Sequence, residues 1–291
     1  MRAVAGYVEL YTEPRMPSFI GLDRDYLSAK AVILGIPYDA GSTFRPGCRL
    51  APARLREVSQ NLETYDPVSR VDSSRLPVAD IGDLQECISP SRMVELTSKV
   101  IAELSSSGRV VVGMGGDHTV TLGLIKGLSR PVSLIMFDAH LDYRDEYPEG
   151  ERLSHATVLR RLREAGLVKD ALVIGVRGVS REEVEALDED VRVLYVWSGL
   201  SALKDELSSL GRPRYVTVDI DVLDPSVAPG VSCPEPGGLS YLELQRALLD
   251  VLEDGVVGMD VVEVNPLLDV NDVTSYAAAK LIIRALPALV R

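Results

Sequence analysis

The chain's pattern predicts an α/β fold with a mostly parallel central sheet of about eight strands, covered by helices on both faces. Three observations carry that prediction. Apolar runs of strand length alternate with helix-period segments from about residue 29 to the C-terminus. The runs are apolar throughout, as strands buried on both faces are. No Pro/Gly/Ser-rich linker, low-complexity segment or internal repeat breaks the 291 residues, so a single domain, 1–291, is expected.

Taken in order, residues 1–29, with Pro14 and Pro17, read as an irregular arm or edge segment. A first strand at 29–36 runs into a long loop from Pro37 to Cys48, which opens onto a helix from about Ala51. Loops of that length usually have work to do. A weaker strand follows at 78–82 and a helix at 91–106. Further strands are predicted at 109–114, 132–137, 172–176, 191–196, 214–218 and 256–262. Helices are predicted at 119–128, 155–165, 180–187, 200–209, 240–253 and 273–286. Sheets of this kind bind ligands beyond the carboxyl ends of their strands.

A hydrophobic content of 46% and a charged content of 25% suit a globular protein. The net charge of -12 argues against nucleic acid or an anionic membrane as partner, since both need a basic face. No apolar run is long enough to cross a bilayer, and Glu9, Glu13 and two prolines occupy the first twenty residues, so a cytoplasmic protein is expected. Cys48, Cys87 and Cys233 are widely spaced, without a C-x-x-C pattern, which points to neither a disulfide framework nor a thiolate zinc site.

The polar residues that carry chemistry fall at strand ends. After the run at 132–137 come Asp138, His140 and Asp142, which strand alternation would place on one side. Gly115-Gly116-Asp117-His118 follows another strand, and Asp219-Ile220-Asp221-Val222-Leu223-Asp224-Pro225 a third. Each alone could be a turn or capping motif, with Asp117 or Thr119 as N-cap and Asp224 as turn former. Together they supply four carboxylates and two imidazoles with no thiolate, more than one ion needs. They could serve two ions if Asp138 and Asp219 bridge, with Mn²⁺ preferred and Zn²⁺, Fe²⁺, Co²⁺ or Ni²⁺ tolerable. His155 opens a helix, where the N-terminus would depress its pKa and suit it to shuttle protons; a surface histidine is the alternative. Glu263, at the end of a further apolar run, needs a cationic partner, either a guanidinium ligand or one of the chain's many arginines.

The motifs Gly-Gly-Asp-His at 115–118, Asp-Ala-His-x-Asp at 138–142, Asp-x-Asp-x-x-Asp-Pro at 219–225 and Glu-Val-Asn-Pro at 263–266 resemble those of the ureohydrolase (arginase and agmatinase) family. The resemblance runs from about residue 30 to the C-terminus. It implies a three-layer α/β/α domain with two Mn²⁺ per chain, usually in homo-oligomers, trimers or hexamers. One ion would be held by His118, Asp138, Asp142 and Asp219, and the other by Asp138, His140, Asp219 and Asp221. Glu263 matches the glutamate that holds the guanidinium, and His155-Ala156-Thr157 the family's His-Gly-Thr, with alanine for glycine. The implied chemistry is attack on the guanidinium carbon by a metal-activated hydroxide. Asp142 would carry the proton to the leaving amine and His155 would exchange protons with solvent.

The segment Gly150-Glu-Arg-Leu-Ser154 lacks the Ser-Gly-Asn pattern with which arginases grip an α-carboxylate. Asp145, Glu146, Glu149 and Glu151 would repel a carboxylate and welcome an ammonium, and residues 42–52 are similar to agmatinase-type members. The expected reaction is therefore agmatine to putrescine plus urea. Aminopropylagmatine, arginine or guanidinobutyrate as substrate, a formimino or amide hydrolase, and an inactive metal-bound subunit are the alternatives.

Overall fold

The computed structural model describes residues 6–67 and 69–291; residues 1–5 of the expected arm lie outside the described residues, as does Val68. Its strands are β1 (Thr12–Glu13), β2 (Ala31–Gly35), β3 (Tyr65–Asp66), β4 (Val71–Asp72), β5 (Val78–Leu84), β6 (Val110–Met114), β7 (Val132–Phe137), β8 (Val168–Val176), β9 (Val191–Tyr195), β10 (Arg214–Asp219) and β11 (Gly258–Val262). Its helices are α1 (Tyr7–Tyr11), α2 (Ala51–Ser59), α3 (Pro90–Ser106), α4 (Val120–Lys126), α5 (Val158–Glu164), α6 (Arg181–Ala186), α7 (Leu203–Ser209), α8 (Tyr241–Glu253) and α9 (Val273–Leu289).

Nine strands form one sheet in the order β1-β5-β2-β6-β11-β10-β7-β8-β9, while β3 and β4 pair separately. Every pairing in the large sheet is parallel except β1 with β5. The eight expected strands are all present. The ninth, β1, comes from the arm, which also carries α1 and so is not wholly irregular. Two residues are too few to show a period. What admits β1 is Gly82 at φ +86, where an added Cβ would lie 2.0 Å from the Glu13 carbonyl oxygen.

Strand alternation divides the core. Ala31 and Ile33 of β2 face one apolar cluster with α2, α7, α8 and α9, while Val32 and Leu34 face a second with α1, α3, α4 and α5. Two cores about one sheet make the three layers.

Register brings the motifs together. Strands β6, β11, β10 and β7 are consecutive neighbours, with Met114 opposite Val261, Val262 opposite Asp219, and Val218 opposite Phe137. The residues that follow these strands therefore emerge side by side at the carboxyl edge.

Candidate active site

Beyond β7 the chain turns instead of continuing as a strand. Asp138 Oδ1 accepts the His140 backbone N–H at 2.6 Å, and Asp142 has a left-handed φ of +49. Beyond β10, Asp219 Oδ1 accepts the Asp221 N–H at 2.8 Å and a 3-10 turn spans Ile220–Val222. The alternation expected at both places is thus replaced by turns, because an Asp side chain that bonds two residues ahead competes with the ladder. The convergence survives. His118, Asp138 and Asp142 form one group and Asp138, His140 and Asp221 another, each with ligand atoms within 4.8 Å and with Asp138 common to both. Asp219 Oδ2 joins at 3.5 Å from His118 Nδ1.

His118 owes its place to a tight turn. A Cβ on Gly116 would lie 1.7 Å from the Tyr38 carbonyl oxygen, so no side chain fits there. The Asp224 turn forms as expected, with Oδ1 accepting from Ser226 N and Oδ2 from Gly237 N, and these bonds hold its carboxyl down at about 2.

The hydrogen-bond pattern around His118 tests whether a cation fits. Thr217 Oγ1 donates to Asp260 Oδ1 at 2.6 Å and so accepts at 3.0 Å from His118 Nε2. Tyr215 Oη donates to the other Asp260 oxygen at 2.8 Å. With the hydrogen on Nε2, Nδ1 presents a lone pair to Asp142 Oδ2 at 2.9 Å, Asp138 Oδ2 at 3.1 Å and Asp219 Oδ2 at 3.5 Å. His118 Nδ1 and Asp138 Oδ2 are buried without a hydrogen-bond partner. A lone pair among three carboxylates is stable only with a proton or a cation between them. The crowding shows in the proton affinities. Burial would lower His118, yet Asp138, Asp142 and Asp219 carry it well above the usual imidazole value. Burial and Asp138 lift Asp142 to about 7, and burial with Asp221 and Asp138 lifts Asp219 well above the carboxylate range. An oxygen-rich, imidazole-containing donor set of this kind fits a divalent metal. Thr217 and Asp260, which orient the imidazole from behind, escaped the sequence reading; their signal is a polar residue in the middle of an otherwise apolar strand.

Glu263 follows β11 at φ +65 and is buried. Its Oε1 accepts from His118 N at 2.9 Å and from His155 Nδ1 at 3.0 Å, while Oε2 lies 3.4 Å from Cys48 Sγ. Among the described residues no arginine pairs with it, so the protein-arginine alternative is not realised. His155 lies in a 3-10 turn, His155–Thr157, at the head of α5. Its pKa is not depressed, as expected for a helix start, but raised to about 9: burial lowers it and the Glu263 carboxylate outweighs burial. A contact at hydrogen-bonding distance beats a short helix's partial charge. The φ of Ala156 is not positive, so the backbone there does not call for glycine. Cys48, Cys87 and Cys233 are free thiols.

His140, Asp142, His155, Asp219, Asp221 and Glu263 line a cavity of about 620 Å³. The loop acids Asp145, Glu146, Glu149 and Glu151 do not. Asp145 is bound by Arg152, Arg160 and Arg161, and the carboxylates of Glu146 and Glu151 accept backbone N–H groups of their own loop. Besides Asp142, Asp219, Asp221 and Glu263, the acids that line the cavity are Glu183, at the start of α6, and Glu235, after β10, joined by Arg144 and Tyr147. The Arg144 guanidinium stacks 4.6 Å over the Tyr147 ring, with Glu183 at 3.9 Å.

The sequence profile of the arginase family matches residues 29–287. The chain belongs to the arginase family. It is 36% identical to an agmatinase of Bacillus subtilis over 91% of this chain and 93% of that one. It is 34% identical to an N(1)-aminopropylagmatine ureohydrolase of Thermococcus kodakarensis over 90% and 92%. The solved agmatine ureohydrolase of Thermoplasma volcanium superposes with a TM-score of 0.87 at 32% identity, covering 94% of each chain. This arginase-family chain is a ureohydrolase-type enzyme. Among its described residues no helix is long and apolar enough to cross a membrane.

Proposed function

We propose that the enzyme hydrolyses the guanidinium group of a cationic substrate, agmatine first, to urea and a free amine. The observation that carries the reading is the Glu263 carboxylate, buried at the cavity base beside the two overlapping acid-imidazole groups. A planar guanidinium donates N–H bonds to such a carboxylate, here chiefly through Oε2 because Oε1 already accepts two, and this orients the carbon towards the acids. Two Mn²⁺ per chain are part of the reading, one held by His118, Asp138, Asp142 and Asp219, the other by Asp138, His140, Asp219 and Asp221. Bound there, such ions would supply Lewis acidity and make water acidic enough to attack near neutral pH.

The remaining steps belong to side chains. Asp142 takes a proton in the cavity and delivers it to the departing amine. His155, beside Glu263, exchanges protons with solvent. Glu235 lines the cavity with its carboxylate free of hydrogen-bond and ion-pair partners among the described residues, and supports an ammonium tail. Homo-oligomers, trimers or hexamers, are part of the same proposal.

Arg144 favours a second reading. Its guanidinium lines the cavity with its ion-pair partner as far off as 3.9 Å, leaving it able to hold a carboxylate tail such as that of guanidinobutyrate. Urea release by Mn²⁺-loaded protein on agmatine, aminopropylagmatine, arginine and guanidinobutyrate separates the two. Preference for agmatine is expected; preference for an acid-tailed substrate would replace Glu235 by Arg144 as the tail partner, and silence on the whole panel would overturn the hydrolase reading.

A further inference from the structure

We propose that Thr43 is the positioning residue for His155: it holds the Nε2 side of the ring and joins the buried imidazole to solvent. The inference rests on the hydrolase reading above for its catalytic consequence, but not for its geometry.

His155 is only 9% exposed, and both of its nitrogens are engaged. The Nδ1 side is settled by Glu263, whose carboxylate can only accept, so Nδ1 carries a hydrogen. The Nε2 side belongs entirely to Thr43, with the backbone N at 3.2 Å and Oγ1 at 2.8 Å. These two atoms act differently. A backbone N–H can only donate, so it selects an unprotonated Nε2, whereas Glu263 favours the imidazolium. The hydroxyl serves both states, donating to Nε2 of the neutral ring and accepting from Nε2–H of the cation. When the cation discharges, the Nε2 proton passes to Oγ1 while Oγ1 yields its own proton to a water in the cavity. The hydroxyl ends as it began. Thr43 is half-buried and lines the cavity, so it stands between the enclosed ring and the solvent.

The loop that carries Thr43 is fastened to the residues it serves. Gly47 N donates to Asp39 Oδ2 at 2.7 Å, which closes the loop on itself. Asn265, two residues beyond Glu263, donates through Nδ2 to the Arg45 and Pro46 carbonyls at 3.1 and 3.3 Å. His155 N donates to the Gly41 carbonyl at 3.1 Å. The segment from Pro37 to Cys48, the long loop expected from its length to have work to do, is therefore anchored on one side to the residues after β11 and on the other to the histidine turn.

Thr43→Val removes the hydroxyl and keeps the shape and the backbone N–H; Thr43→Ser keeps the hydroxyl. In metal-free protein, long-range ¹H–¹⁵N spectra above the titration of the ring resolve the tautomers of the three histidines, with His155→Asn providing the assignment. The wild type and Thr43→Ser should show the Nδ1–H form of His155, and Thr43→Val a shifted Nε2 resonance. In Mn²⁺-loaded enzyme, Thr43→Val should lower kcat by about 10- to 100-fold with KM little changed, and Thr43→Ser should restore it. An unaltered imidazole spectrum in Thr43→Val, or equal loss of kcat in both variants, would overturn the proposal. If the wild type released no urea at all, the hydrolase reading would fail while the imidazole spectra still decided the geometry.

Discussion

Glu263 accepts two hydrogen bonds from protein donors through one oxygen, so its charge has work to do even before a ligand arrives. Glu263→Gln keeps the volume and removes the charge. We expect kcat/KM to fall by about 100- to 1000-fold, about 3–4 kcal/mol, with the circular dichroism spectrum preserved, since what is lost is a desolvated charge-assisted contact. Asp138 makes a different prediction because it belongs to both acid-imidazole groups, whereas His140 belongs to one. Metal analysis of purified variants should give close to no ion per chain for Asp138→Ala but retention of one for His140→Ala; equal losses would refute the shared role. At this scale the sequence revealed the residues that break a pattern, such as an Asp or His where an apolar run ends. It hid those whose meaning depends on an unseen neighbour. Glu263 raises His155 from 108 residues away, and the arginines around Asp145 silence an acid that looked free.

Among the elements, the arm and α2 are joined by a buried charge network. Arg56, 1% exposed, donates to Asp80 through Nε and Nη2, at 2.7 and 2.9 Å, and to Asp83 at 2.6 Å, while Arg15 of the arm reaches Asp83 at 2.9 Å. Arg56→Met would leave two carboxylates of β5 without their main partner. A loss of about 3–5 kcal/mol in urea-unfolding stability is expected. Arg49→Met, which breaks an ion pair whose arginine is 52% exposed, should cost under about 1 kcal/mol. Similar losses would show that burial is not what distinguishes the pairs. The long apolar strands and amphipathic helices were legible because their burial is written as a period. β1 was not, since a two-residue edge strand is held by its partner's glycine rather than by its own pattern. Nor were the turns after β7 and β10, where side chains capture the backbone locally and so end the very alternation that predicted convergence.

For the whole molecule, the decisive coupling is between folding, protons and metal. The fold forces three carboxylates from two strand ends against one imidazole from a third, and without a cation it must hold protons there. Asp142 has its folded pKa raised to about 7, above its unfolded value. An acid so shifted contributes stability at pH values below its unfolded pKa, and that contribution is lost as the pH rises through about 7. His118, also raised, has the same sign: its contribution is present below the ordinary imidazole value and is lost as the pH climbs through its folded pKa. Metal-free protein should therefore show a Tm that falls between about pH 5 and 8. A divalent ion replaces those protons, so it should restore stability most at the alkaline end. Its uptake must also release protons, in growing number as the pH is lowered, and its apparent affinity should weaken towards acid. Calorimetric Mn²⁺ titrations in two buffers of different ionisation enthalpy measure that release directly. Zero proton release at pH 6.5, together with a Tm of the metal-free protein that does not decline with pH, would mean that the acids do not surround His118 as described.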